Sequence, residues 1–114
     1  MSCPDRAGKR LKMDKFTLYV GLNDKDTKTQ LVSTLEAYKV VTNVLKTYTD
    51  GATVFEANGI YKHDDGTIIV EKTLRIELLF VNKSTVKEIV DTLKKMLNQE
   101  SIAVQHEVVE SELW

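Results

Sequence analysis

Apolar and polar residues alternate along four stretches of the chain and fall at three- and four-residue steps along two others. Phe16, Leu18, Val20 and Leu22 are separated by Thr17, Tyr19 and Gly21, which predicts a strand over residues 15–22 with one buried face. Residues 52–81 predict a long hairpin folded at His63-Asp64-Asp65-Gly66, where aspartates tolerate the tight positions and Gly66 takes the positive φ that a side chain resists. The hairpin's first strand carries Glu56, Asn58, Lys62 and Gly59, a mark of an edge strand and of a bulge or close backbone approach. Its second alternates Leu74, Ile76, Leu78 and Phe80 with Thr73, Arg75 and Glu77, as a central strand does. Helical steps relate Leu35, Tyr38, Val41, Leu45 and Tyr48 behind a capping box at Ser33-Thr34-Leu35-Glu36, and Thr49-Asp50-Gly51 ends that helix. A second stripe, Val86, Ile89, Val90, Leu93, Met96 and Leu97, follows the similar pattern Thr85-Val86-Lys87-Glu88. Ile102, Val104 and Val108 then alternate with Ala103, Gln105 and Glu107 in a last strand.

The order β-α-β-β-α-β predicts a ferredoxin-like α+β fold, because right-handed crossovers put both helices on one face of a four-stranded antiparallel sheet. Strands one and three are expected at the centre. The other sheet face stays open and is expected to carry Thr17, Tyr19, Glu56, Thr73, Arg75, Glu77, Gln105 and Glu107, extended by Leu79 and Val109.

Composition narrows the function classes. The chain has 114 residues, 42% hydrophobic and 29% charged, enough for one domain, expected over residues 13–114. Residues 1–12 have no periodicity and carry Arg6, Lys9, Arg10 and Lys12, so a disordered basic tail is expected whose removal leaves the fold intact, with Met13 a second candidate start. Cys3 is the lone cysteine and His63 and His106 the two histidines, so no disulfide framework, metal site or cofactor is expected. The formal net charge of −1 gives no reason to expect nucleic acid or a membrane, no apolar run reaches membrane-spanning length, and a cytoplasmic location is expected.

Candidate chemistry is sparse. Leu18-Tyr19-Val20-Gly21-Leu22 resembles the shorter motif of RNA-recognition domains, but the third strand lacks an outward aromatic residue and carries Glu71 and Glu77 where phosphates would pass. His63 reads as a solvated turn residue and His106 as a partly buried, hydrogen-bonded structural one, so no catalytic set is nominated. Two classes of function stay open. One is a non-enzymatic oligomeric module, regulatory or partner-binding, acting through the open sheet face and the hairpin. The other is a small enzyme or ligand-binding protein with Tyr19, Asn58, Tyr61, Glu71 and Arg75 around a pocket on that face; Glu71 and Arg75 are also spaced for an ordinary surface ion pair. Leu79, Val109, Leu113 and Trp114 are surplus apolar surface, which leads to the expectation of a homodimer or small homo-oligomer.

The run Gly51-Ala52-Thr53-Val54, Glu56-Ala57-Asn58-Gly59-Ile60-Tyr61, Gly66-Thr67-Ile68, Glu71 and Gln99-Glu100-Ser101-Ile102-Ala103-Val104 resembles a bacterial family of small proteins whose domain has no assigned function. The resemblance covers roughly residues 16–104 and carries no activity with it. At the level of fold the layout looks like the trimeric PII-type and CutA-type proteins.

Overall fold

The structure, a computed structural model, describes residues 10–114. Its elements are β1 (Arg10–Gly21), α1 (Thr34–Tyr48), β2 (Thr53–Lys62), β3 (Ile68–Leu79), α2 (Lys83–Met96) and β4 (Ala103–Glu112). The strands form one antiparallel sheet in the order β2-β3-β1-β4, the ferredoxin-like arrangement with β3 and β1 central. Phe16, Leu18, Val20, Leu74, Ile76 and Leu78 face the helices and meet Ala37, Val41, Val44 and Leu45 of α1 and Val86, Ile89 and Leu93 of α2 in one core. Burying each of the larger of these side chains contributes about 1.5–3 kcal/mol. Among the described residues no helix is long and apolar enough to cross a membrane.

Both helices start where a side chain satisfies a free backbone donor. Ser33 Oγ accepts from the Glu36 N–H at 3.1 Å, and Asn82 Oδ1 accepts from the Thr85 N–H at 2.9 Å. The second cap lies three residues before the expected Thr85. Each apolar stripe is also narrower than the spacing predicts: Leu35 and Tyr38 of α1 and Met96 of α2 are exposed, while Ala37 and Val44 complete the α1 face.

The strands are staggered, and this exposes apolar side chains at both ends of the sheet. β1 ends opposite Thr73, so the hairpin runs on as a two-stranded ribbon from Gly59 and Glu71 to the turn, with Ile60, Ile68 and Val70 in solvent. At the opposite end the β1–β4 pair outruns β3, and Val108 is exposed there. The molecule is accordingly elongated, 51 × 27 × 23 Å.

Four expectations are corrected here. β1 begins at Arg10, and Arg10, Leu11 and Lys12 pair with Glu112, Ser111 and Glu110, so these three residues belong to the sheet and not to a tail; residues 1–9, with Cys3, lie outside the described residues. Glu56 faces the helix side of β2, because the register sets Thr53 opposite Glu77 and Phe55 opposite Arg75; Phe55 takes the place on the open face. Gly59 pairs with Glu71 without a bulge, although a Cβ there would lie 3.2 Å from Thr73 Oγ1. The turn is as predicted: Gly66 has φ +90°, the Gly66 N–H donates to the His63 carbonyl and the His63 N–H to the Thr67 carbonyl. Phe80, expected to continue β3, instead turns out of it at φ +62°.

Candidate functional site

Two clusters stand on the open sheet face. In the middle, the Arg75 guanidinium lies 5.8 Å from the Tyr19 ring centroid and 5.7 Å from that of Phe55, its neighbours on the two flanking strands. Arg75 pairs with Glu77 at 3.0 Å, Glu77 with Lys15 at 3.3 Å, and Lys15 reaches Glu107 at 3.8 Å. The Tyr19 hydroxyl donates to Gln105 Oε1 at 3.3 Å. These long side chains roof over Thr17, which is only 3% exposed although it points to the open face. The expected Glu71–Arg75 pair is therefore absent, since each side chain takes a different partner.

The second cluster lies where the hairpin leaves the sheet. Glu71 Oε2 accepts from the Asn23 N–H at 2.8 Å, and among the described residues that is the carboxylate's one hydrogen bond. Its position depends on Gly21: a Cβ there would lie 2.6 Å from the Glu71 carboxyl carbon and 2.6 and 2.7 Å from its oxygens. The strand alternation gives Gly21 a place on this face, and the missing side chain makes room for the carboxylate. Around it is a cavity of about 310 Å³ lined by the loop from Asn23 to Lys28, by Tyr61, His63 and Ile69 of the hairpin, and by Gln99, Glu100 and Ser101 ahead of β4. Tyr61 and His63 meet edge to face, ring centroids 5.6 Å apart.

Gln99 is the buried polar group of the cavity wall, 8% exposed. Its Nε2 donates to the Asn23 carbonyl at 2.8 Å and to the Leu97 carbonyl at 3.2 Å. Both donors are spent, and among the described residues Oε1 has no hydrogen-bond donor. The loop opposite is tied down as firmly. Asp24 Oδ2 accepts from the Asp26 and Thr27 N–H groups, and Asn98 Nδ2 donates to both Asp24 and Asp26. The Asn98 amide, and after it the Thr27 N–H, holds the Asp24 carboxyl below the usual carboxylate range. Lys28 sits at φ +62°, its N–H bonded to the Asp24 carbonyl at 2.8 Å, and Lys25 donates its N–H to the Asn98 carbonyl.

The candidates named from sequence thus separate. Tyr61 and Glu71 share the cavity, Tyr19 and Arg75 form the neighbouring cluster, and Asn58, opposite Lys72, points to the helix side and joins neither. Asn23, Gln99 and Phe55 were missed: a loop residue, a glutamine of the strand approach and a residue on the wrong parity give no local signal. Of the apolar candidates, Leu79 and Val109 line a hollow of about 260 Å³ with Lys15, Thr53, Glu77 and Ser111. Leu113 is half-buried, and Trp114 is fully exposed, its indole N–H donating to the Glu112 carboxylate. His106 has the predicted parity but is exposed, stacked on Phe16 at 4.4 Å and 2.8 Å from Asp14 Oδ1 through Nε2. Among the described residues no group of three or more histidines, cysteines and acids is gathered as a metal site.

Residues 15–112 match the family described as Protein of unknown function (DUF3574), and the chain belongs to that family. No curated protein matches the chain. Among solved structures it is similar to a phage SAM lyase in complex with S-methyl-5′-thioadenosine, with 19% identity, 97% of this chain and 96% of that one covered, and a TM-score of 0.64. It is similar to CPII, a nitrogen regulatory PII-like protein from Thiomonas intermedia bound to ADP, AMP and bicarbonate, with 13% identity, 90% and 96% covered, and a TM-score of 0.53. CutA from Synechococcus elongatus is similar at 8% identity, with 91% and 86% covered and a TM-score of 0.60. Identities this low establish the shared fold, which includes the PII-like and CutA arrangement read from the sequence.

Proposed function

We propose that the protein is a small homo-oligomer that binds an adenosine-type ligand in the cavity beside Glu71 and acts as a non-enzymatic regulatory or partner-binding module. The observation that carries this reading is the Glu71 carboxylate, held against Gly21 by the Asn23 N–H with one oxygen left, among the described residues, without a donor. A carboxylate fixed in this way accepts the neighbouring hydroxyls of a ribose, and the Tyr61–His63 pair offers a planar base an aromatic wall. Two proteins of this fold, the phage SAM lyase with S-methyl-5′-thioadenosine and CPII with ADP and AMP, hold adenosine compounds, which supports the class of ligand. Oligomerisation is supported by the open face, where the Leu79–Val109 hollow and the exposed Phe55 are apolar surface for a second copy to cover, and by the fully exposed Trp114 just past β4.

A second reading, a small enzyme acting on the same ligand, is favoured by the free carboxylate oxygen, which is available to take or hold a proton. Calorimetric titration of the intact protein and of Glu71→Ala with S-methyl-5′-thioadenosine tests the first reading. Binding that is lost in the variant supports it, and no binding to the intact protein overturns it. Incubation with S-adenosylmethionine tests the second: release of S-methyl-5′-thioadenosine above the buffer rate would make the protein an enzyme.

A further inference from the structure

We infer that the cavity selects a phosphate-free adenosine, neutral or cationic, and rejects adenosine nucleotides. This rests on the reading of the cavity as a nucleoside site and adds what such a ligand carries. The polarity of the groups the fold holds in place sets this preference.

The two lining side chains beside the cavity that hydrogen bonds hold in place with capacity to spare, Glu71 and Gln99, offer that capacity as acceptors. Gln99 is the most buried polar residue of the wall, and the two carbonyls that take its Nε2 hydrogens leave Oε1, among the described residues, an acceptor without a donor. Glu71 contributes a second unfilled acceptor with a negative charge. The backbone donor beside them, the Asn23 N–H, is already used by Glu71. A ligand that completes this set brings donors: hydroxyls, an exocyclic amine or an ammonium group. A phosphate brings acceptor oxygens alone and more negative charge, so next to Glu71 it leaves Gln99 Oε1 unmet and is repelled.

The rim does not reverse this balance. Lys25 and Lys28 are cations, but both are exposed and share the lining with Asp24, Glu71 and Glu100, so it carries three carboxylates against two lysines. Exposed charges on flexible stems are screened over about 8 Å at physiological salt, whereas the acceptors of Glu71 and Gln99 are held by the fold. The lysines are the natural opposing hypothesis, because two of them at a cavity mouth are also what a phosphate binder needs.

Titration of the intact protein with S-methyl-5′-thioadenosine and with ADP at 0.15 M salt separates the two, repeated on a Lys25→Ala/Lys28→Ala variant and on Glu71→Gln. The inference expects the thioether to bind at least tenfold more tightly than ADP, the lysine variant to keep that affinity within twofold, and Glu71→Gln to lose it about tenfold while melting as the parent does. ADP binding as tightly as the thioether, with the advantage lost in the lysine variant, would overturn the selection while leaving the nucleoside reading in place. Binding of neither compound would remove the nucleoside reading and the selection together.

Discussion

Gly21→Ala is the substitution that tests how the cavity is built. The glycine's φ is not in the left-handed region, so alanine fits the backbone, and a Gly→Ala change by itself stabilises by about 0.4–1 kcal/mol through the unfolded chain. The new Cβ, however, would stand 2.6 Å from the Glu71 carboxyl carbon. The carboxylate is the far end of a flexible side chain and swings away, and the strand need not move. What is lost is the 2.8 Å hydrogen bond from Asn23, of a type that contributes about 1.5–3 kcal/mol; for a half-buried group the lower end applies. The two effects leave a net destabilisation of about 0.5–1 kcal/mol. With Glu71→Ala already present there is no carboxylate to strike, and the same change should stabilise by about 0.4–1 kcal/mol. Urea unfolding of the parent, both single variants and the double variant, at one protein concentration, measures a coupling of about 1.5 kcal/mol by this reasoning. An equal destabilisation in both backgrounds would refute it, since the glycine would then matter for its backbone and not for Glu71.

Other parts of the structure make separate predictions. Gly66→Val should lower stability by about 1–2 kcal/mol, purely through the backbone, because nothing lies within 4 Å of a Cβ there; an unchanged denaturation midpoint would mean another turn geometry. A chain starting at Met13 loses the β1 residues that pair with Glu110, Ser111 and Glu112, and should melt several degrees below the full chain, for a cost of about 1 kcal/mol; identical melts would show that this end of the ladder contributes nothing. Light scattering at micromolar concentration should give a multiple of the 13.0 kDa chain mass for the intact protein, and a loss of that multiple in a chain ending at Ser111 would assign the interface to the Leu113–Trp114 end. A monomeric intact chain would contradict the homo-oligomer.

The fold was legible because alternation and helical spacing are repeated signals. Four alternating stretches and two stripes fix the strand order once crossovers are right-handed, and a long apolar β3 can only be central. The errors arise where one residue decides. In β2 the side chains on both faces are largely exposed, so periodicity could not tell Phe55 from Glu56, and a single step of parity exchanges every residue between faces; Asn58 was lost from the site by the same slip. The stripe positions Leu35 and Tyr38 failed because the buried line of α1 runs through Ala37, Val41, Val44 and Leu45, and a small alanine announces that phase less loudly than the leucine and tyrosine beside it. Glu71 and Tyr61 could be named as candidates, whereas the groups that fix Glu71 could not. Asn23 acts through its backbone N–H and Gly21 through an absent side chain, and neither has a residue type that announces it.

The central claim, that a nucleoside occupies the cavity beside Glu71, is tested most directly by following backbone amide resonances while S-methyl-5′-thioadenosine is added. Saturable shifts are predicted for Asn23, Tyr61, Glu71 and Gln99, with Lys46, Thr47 and Asn82 at the far end of the molecule unmoved. Shifts confined to that far end, or none at saturating ligand, would contradict the account.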